Sequence, residues 1–522
     1  MSPQNIDYSL YLVTGRDLLP QGKAYLESLE EALRGGVTLV QVREKTADTG
    51  EILDVARQTK AACDKYNVPV IIDDRVDVAL AMGAAGVHLG QTDMPVPVAR
   101  ALLPPGSIIG KTCNSPAHVR AAVAEGADYV GVGPVWGTQT KKVKHPVVGP
   151  RGVGEMLEAL DGTDVKAVAI AGINATNVLH CLWGAVAPSG RQLDGVAVVS
   201  DIMASTDPYA SARRLSDAIR AFYAAPLRTF SQGPRAPYAA PDVAAAAGAV
   251  LRAVKQFSPL VHQITNNVVT TQSANATLAL GASPIMATAP EEMADLSRVT
   301  GALLVNFGTI QNLDGMLAAG RQANINRKPV VFDPVGVGAT AYRRESAAGL
   351  LSTWQATVLK GNAGELAAIA NSSERRPGFA DPASFVRNLA RQHRCIVVLT
   401  GVTDWVSDGH AVARLSNGHA LLGEITGSGC MVGTAVATFC AGASMAANAA
   451  RGAGAPADDG MLVRGDMFVA AIGGVLAVTI ASEIAAVRED VKGSGTFLPA
   501  LIDELGRLSA EDFVKRAKIE LV

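Results

Sequence analysis

The stretch Gly131-Val132-Gly133-Pro134-Val135-Trp136-Gly137-Thr138-Gln139-Thr140-Lys141-Lys142 runs from an apolar strand into two alternating hydroxyls and two lysines. Glycines let backbone N–H groups approach an anion, Thr138 and Thr140 can donate hydrogen bonds, and Lys141 adds charge, so the stretch suits a phosphate. A solvated loop with a chance basic pair explains these residues equally well. Other apolar runs in the first half end in related chemistry: Gln41-Val42-Arg43-Glu44-Lys45, Asp73-Asp74-Arg75, His88-Leu89-Gly90-Gln91-Thr92-Asp93 and Lys111-Thr112-Cys113-Asn114. Taken singly, Arg43 and Lys45 read as rim charges, Asp73 and Asp74 as a helix cap, and His88 as a satisfied core histidine. Gathered at one mouth, Arg43, Lys45 and Lys141 beside Asp74 and Asp93 are costly to assemble unless a polyanion and a divalent cation share the space. Oxygen donors without Cys or His clusters point to Mg2+ bridging a pyrophosphate.

The elements that would gather them follow from the alternation of patterns. Short β-rich runs fall at Tyr8–Thr14, Thr38–Lys45, Pro69–Arg75, Gly86–Gly90, Ser107–Asn114, Asp128–Gly133, Lys166–Gly172 and Gly195–Ser200, with helix-period segments between nearly all of them. That order predicts an N-terminal (β/α)8 TIM barrel, whose chemistry sits at the carboxyl ends of the strands. An open doubly wound sheet is the alternative, and it would use fewer strands in this length.

A chain of 522 residues is too long for one ordinary core and predicts two domains. We read residues 1–225 as the barrel, the Pro-, Ala- and Gly-rich stretch 226–241 as a linker, and 242–522 as a second domain with longer helices and fewer strands. A hydrophobic content of 48% and a net charge of −2 describe a globular protein and argue against nucleic acid or an anionic membrane as partner. Six cysteines without Cys-x-x-Cys spacing predict free thiols in a reducing compartment. The N-terminus shows no secretion signal, so a cytoplasmic location is expected. The uncharged run Met467–Ser482 is shorter than the roughly 20 residues of a membrane span and reads as a buried helix.

Gln41-Val42-Arg43-Glu44-Lys45, His88-Leu89-Gly90-Gln91 and Gly133-Pro134 with the Thr-Gln-Thr-Lys-Lys run make the first half resemble thiamine phosphate synthase. That family joins hydroxymethylpyrimidine diphosphate to thiazole phosphate and releases pyrophosphate. The resemblance implies that Gln41, Arg43, Lys45, Thr112 and Lys141 hold the pyrimidine diphosphate and that Asp74 and Asp93 bind Mg2+. It further implies that Thr138, Thr140, Gly172, Val199 and Ser200 hold the thiazole phosphate. Asp73, near the leaving group, stands where the family usually has Asn, and Lys111-Thr112-Cys113-Asn114 also departs from the family pattern.

In the second half, strands are expected at Ala302–Asn306, Pro329–Asp333, Thr357–Lys360 and Cys395–Thr400, with a β-like region at Asp404–Leu415. Ligands of open α/β sheets bind at such carboxyl ends, here marked by Asp333, Lys360, Glu365 and Thr400. Thr426-Gly427-Ser428-Gly429-Cys430 then opens the apolar helix Met431–Ala446 and forms an anion hole at its N-terminus. Asp333 and Glu365 could carry Mg2+ on a nucleotide, and the Walker A pattern is absent. Val261-His262-Gln263-Ile264-Thr265-Asn266, Leu280–Met286, Asp333–Thr340 and Gly427–Cys430 make this half resemble hydroxyethylthiazole kinase, a ribokinase-like α/β fold. The resemblance implies Asn266, Met286 and Gly427 around the thiazole alcohol, and Lys360 and Thr400 on the phosphates of ATP. Gly427, Ser428, Gly429 and Cys430 would cradle the transferred phosphoryl. Lys360 stands where the family often has Arg. Cys430 either acts as a weak base, its pKa lowered at a helix N-terminus, or simply packs. His262 and His419 are expected to be structural.

The two resemblances together imply a bifunctional enzyme of thiamine biosynthesis using ATP and Mg2+, with kinase trimers suggesting a homo-oligomer, trimer or hexamer. A barrel and kinase acting on another heterocycle pair, or a thiamine-responsive regulator with decayed sites, are the alternatives. Intact Arg43, Lys45, Asp74, Asp93, Lys141, Asp333 and Glu365 weigh against decay.

Overall fold

The computed structural model describes residues 6–138, 145–224, 238–370, 381–452, 454, 456 and 458–522. Thr140, Lys141 and most of the expected linker therefore lie outside the described residues. The chain divides into two compact units, Met1–Ala225 with Pro456–Met461, and Pro226–Ala455 with Leu462–Val522.

In the first unit, β1 (Leu10–Val13), β2 (Leu39–Val42), β3 (Val70–Asp73), β4 (Gly86–Leu89), β5 (Ile108–Cys113), β6 (Tyr129–Val132), β7 (Lys166–Ala169) and β8 (Gly195–Val198) close in chain order. Neighbouring strands run parallel, and β8 pairs with β1, so the barrel expectation holds and the open sheet does not. Successive side chains in a strand alternate between faces. Tyr11, Leu39, Ile71, Ile108, Tyr129, Val168 and Ala197 share one buried cluster, the barrel's interior. Further positions on the same faces toward the carboxyl ends, Val13, Gln41, Asp73, His88, Thr112, Gly131, Ile170 and Val199, face an open mouth.

The second unit holds a nine-stranded sheet in the order β10-β9-β11-β12-β13-β14-β15-β16-β17. Its strands are β9 (Leu260–Ile264), β10 (Ser283–Ile285), β11 (Ala302–Asn306), β12 (Val330–Asp333), β13 (Val358–Asn362), β14 (Ile396–Thr400), β15 (Asp404–Ser407), β16 (Val412–Leu415) and β17 (Ile519–Leu521). Those from β10 to β14 in that order are parallel, and the last three turn antiparallel. The expectation of fewer strands is thus corrected: β9, β10 and β17 join the sheet. The helix Ala240–Phe257 begins two residues inside the stretch read as a linker.

Helices Ser428–Ala449 and Met467–Ala486 are long and apolar enough to cross a membrane by length and composition, but 83% and 89% of their most apolar windows are buried inside the fold. The second extends beyond the expected run and is apolar all round because protein surrounds it. All six cysteines are free and buried, as expected.

Candidate active sites

At the carboxyl ends of the barrel strands lies a cavity of about 440 Å³. It is lined by Gln41, Arg43, Lys45, Asp73, Asp74, Asp93, Thr112, Thr138, Gly172, Val199 and Ser200. These are all the barrel residues picked out from the sequence except Thr140 and Lys141. Gln41 follows Leu39 at a spacing of two, which puts both inside the barrel, and Arg43 and Lys45 continue along the chain onto the rim.

The cations of the mouth already touch its acids. Lys45 Nζ lies 2.6 Å from Asp73 Oδ2 and also contacts Asp74 Oδ2, while Arg43 Nε is 3.8 Å from Asp73. Burial works against the Lys45 charge, but Asp73 and Asp74 outweigh it and hold its pKa above the ordinary lysine value. Asp93 Oδ2 accepts from the Gly90 N–H at 2.6 Å. Burial, with Asp74 close by, pushes the Asp93 carboxyl upward. A carboxylate raised by a neighbouring carboxylate marks a place suited to a shared cation. The donors are oxygen, as Mg2+ prefers, yet the described residues contain no group of three or more metal-ligating side chains. The donor set thus fits Mg2+ that takes its remaining ligands from phosphate and water.

Beneath the rim runs a hydrogen-bonded chain that the sequence reading did not assign. Gln41 Nε2 donates to the Tyr11 hydroxyl, Tyr11 and Tyr129 hydroxyls lie 3.0 Å apart, and Tyr129 meets His88 Nδ1 at 2.8 Å. His88 Nε2 meets Thr112 Oγ1, also at 2.8 Å. His88 is therefore buried with both ring nitrogens engaged, as a satisfied core histidine should be. The signal available in sequence was Gly110: a Cβ there would lie 2.1 Å from the Tyr129 ring, so this glycine makes room for the aromatic. Gly172 has a different reason to be glycine, with φ +72° and a Cβ position 2.7 Å from Gly137 O.

In the second unit the expected residues follow the strand order along the carboxyl edge. Met286 lies just beyond β10, Asn266 beyond β9, Asp333 ends β12, Lys360 lies in β13, and Thr400 ends β14. Asp333 is fully buried and Lys360 nearly so, with Lys360 Nζ 3.1 and 3.2 Å from the two Asp333 oxygens. Asn306, at the end of β11, donates at 2.9 Å to Asp333 Oδ2 and at 3.3 Å to Cys430 Sγ. Asn266 Nδ2 reaches Asn306 Oδ1 at 2.8 Å and Cys430 Sγ at 3.6 Å. Asn306 is the hub that the sequence reading passed over; its only signal was a polar residue closing an apolar strand. Among the described residues, neither Met286 nor Thr400 hydrogen-bonds to this cluster. Thr400 Oγ1 instead donates to Gly361 O at 3.4 Å.

Burial pushes the Asp333 carboxyl up to about 6, with Lys360 pulling against it, and Asp333 and Glu365 hold the Lys360 ammonium above its ordinary pKa despite burial. Burial and then Asp333 also push the Cys430 thiol upward. A lowered thiol pKa was one reading of its place at a helix N-terminus; desolvation and a neighbouring carboxylate win over the helix dipole. Glu365 spends both carboxylate oxygens on backbone N–H groups, Oε1 on Gly336 at 3.0 Å and Oε2 on Asn362 at 2.9 Å, closing a capping box on the helix Ala363–Ile369. Its lone pairs facing away from those bonds would have to serve any cation. Gly427 takes φ +84° as the cap of the helix Ser428–Ala449, and a side chain there would meet Val269 at 2.4 Å. The N–H groups of Ser428 to Cys430 open that helix, where no carbonyl one turn back within the helix can accept them, as an anion cradle requires.

Comparison with known proteins gives both halves a family. The hydroxyethylthiazole kinase family matches residues 251–511, and thiamine monophosphate synthase matches residues 10–202. A probable thiamine biosynthetic bifunctional enzyme of Schizosaccharomyces pombe is 37% identical over 539 residues, covering 99% of this chain and 99% of that protein. A thiamine biosynthetic bifunctional enzyme of Saccharomyces cerevisiae is 35% identical over 558 residues, covering 98% and 97%. Among solved structures, a hydroxyethylthiazole kinase protein from Pyrococcus horikoshii is 36% identical, covering 53% of this chain and 98% of that one at a TM-score of 0.45. A thiamine phosphate pyrophosphorylase from Pyrococcus furiosus is 35% identical, covering 42% and 97% at a TM-score of 0.36. The chain matches nearly the full length of both fungal proteins, and so belongs to the family of bifunctional thiamine biosynthetic enzymes, a thiamine phosphate synthase barrel followed by a hydroxyethylthiazole kinase domain.

Proposed function

We propose that the barrel mouth holds the pyrimidine diphosphate through Gln41, Arg43, Lys45, Asp73 and Thr112, joined by Lys141. Thr138, Thr140, Gly172, Val199 and Ser200 hold the thiazole phosphate beside it. The observation that supports this reading is the single cavity shared by nine of these residues and the proposed metal-binding pair Asp74 and Asp93. Asp74 and Asp93 would hold Mg2+, which would supply charge neutralisation to the departing group. Arg43 and Lys45 do the same from the protein, where charge develops as the C–O bond breaks and its electron pair leaves with pyrophosphate. The thiazole nitrogen lone pair then forms the new C–N bond, and close placement of the two rings supplies much of the rate.

In the kinase domain Asn266, Met286 and Gly427 surround the thiazole alcohol, while Lys360 and Thr400 contact the phosphates of ATP. Ser428, Gly429 and Cys430 present N–H groups to the transferred phosphoryl, and Asp333 and Glu365 serve Mg2+. The alcohol oxygen bonds to the γ-phosphorus as the bridging P–O bond breaks toward ADP, and its proton passes to water. The thiazole phosphate so formed is the barrel's substrate. We place the domain limits at 1–225 and 240–522, the second opening with the helix Ala240–Phe257, the protein in the cytoplasm, and the assembly as a trimer or hexamer.

The test supplies the thiazole alcohol, ATP, Mg2+ and pyrimidine diphosphate to the whole chain, then to halves cut within 226–237. Thiamine phosphate should form with the whole chain, thiazole phosphate alone with the second half, and thiamine phosphate from added thiazole phosphate with the first. Phosphorylation by the first half would overturn the division of labour.

A further inference from the structure

In the barrel mouth the acids already touch a cation. Lys45 Nζ sits 2.6 Å from Asp73 Oδ2 and touches Asp74 Oδ2. Its side chain reaches there from beyond the end of β2, across to the end of β3, and remains partly exposed. Arg43 approaches Asp73 at 3.8 Å and, among the described residues, makes no ion pair with Asp74. Asp74 also interacts with Asp93, which accepts from the Gly90 N–H. An ammonium in contact with a carboxylate competes directly with a metal for the same oxygens. It is displaced only when something offers it a better anion.

We propose that Lys45 is the resident cation of the metal seat in the free barrel, and that a diphosphate opens the seat by drawing Lys45 off Asp74. Metal and diphosphate then bind as a coupled pair, and each tightens the other by the same factor. The proposal rests on the reading that Asp74 and Asp93 carry the divalent cation. It adds that they do not do so effectively until the substrate's diphosphate is present.

The experiment measures Mn2+ retained by the whole chain in equilibrium dialysis, followed by Mn2+ electron paramagnetic resonance, with and without inorganic pyrophosphate. Asp333→Asn in the background removes the kinase domain's contribution. In that chain pyrophosphate should tighten Mn2+ binding by about tenfold or more, and Mn2+ should tighten pyrophosphate by the same factor. Lys45→Met should bind Mn2+ about tenfold more tightly than its parent without pyrophosphate. Lys45→Arg, which keeps a cation, should retain the parent's weak binding. Arg43→Met removes a nearby charge that does not touch Asp74 and should change binding by no more than about twofold. Equal gains from Lys45→Met and Arg43→Met would reduce the effect to general electrostatics and overturn the proposal. Tight Mn2+ binding by the parent without pyrophosphate would also overturn it, leaving the metal reading intact. If Asp74→Asn leaves Mn2+ binding unchanged with pyrophosphate present, the metal reading itself fails.

Discussion

Cys430 sits where burial and the Asp333 charge keep its thiol protonated, and where two asparagine amides donate toward its sulfur. A group so placed is a poor proton acceptor, and phosphoryl transfer through a loose transition state asks little of a base. Cys430→Ala is therefore expected to keep kcat for the thiazole alcohol within about tenfold of the parent, measured as ADP release. Asp404 offers a pH test nearby. It is buried, its Oδ1 accepts from the Gly401 N–H at 3.0 Å, and burial pushes its carboxyl up to about 6. In the unfolded chain the same group ionises near 4. The folded state therefore holds the extra proton between about 4 and 6, and Asp404 subtracts stability as pH rises through that window. Asp404→Asn keeps the acceptor and removes the charge. Its Tm relative to the parent should rise from pH 4.5 to pH 7.5, by up to about 3 kcal/mol of stability. A difference that stays flat with pH would refute the assignment. That Gln41, Arg43, Asp74 and Thr112 would meet at one mouth was legible in the sequence because each follows or ends an apolar strand and the strand ends of a closed barrel converge. Tyr11 and Tyr129 were not, because an aromatic within such a strand reads as core until the barrel closes and their hydroxyls meet.

The eight barrel strands could be read from sequence because each is buried on both faces and bounded by Gly or helix signals. β9 and β10 could not, because Leu260–Ile264 carries His262 and Gln263 and Ser283–Ile285 is only three residues long. Pairing in a sheet, rather than local pattern, makes them strands. β17 is a second case, a short segment that pairs with β16 from about a hundred residues away. The two long apolar helices show what local pattern could not: how closely they approach. A Cβ on Gly474 would lie 2.5 Å from the Val436 Cα, and one on Gly473 would lie 2.6 Å from the Phe439 ring. Backbone cannot yield there as a flexible side chain could. Gly474→Val should thus lower kinase-domain stability by about 3 kcal/mol or more and shift the helix that begins at Ser428. Thermal melts with kinase and synthase assays on the same sample should show the loss in the kinase alone.

At the scale of the molecule, the same arrangement recurs on two unrelated sheets. Lys45 rests on Asp73 and Asp74 in the barrel, and Lys360 on Asp333 in the kinase domain. In each, one acid proposed for the metal is already paired with a lysine proposed for phosphate, so part of the site's negative charge is offset before its anion arrives. The buried helices Ser428–Ala449 and Met467–Ala486 bear on how such a chain fails. Once the kinase domain opens, two segments as oily as a lipid anchor meet water, and those from neighbouring chains can associate before either refolds. Heated kinase activity should then decay as a half-life that shortens with protein concentration and does not recover on cooling. Full recovery after dilution and cooling would show that these segments find their own partners faster than each other.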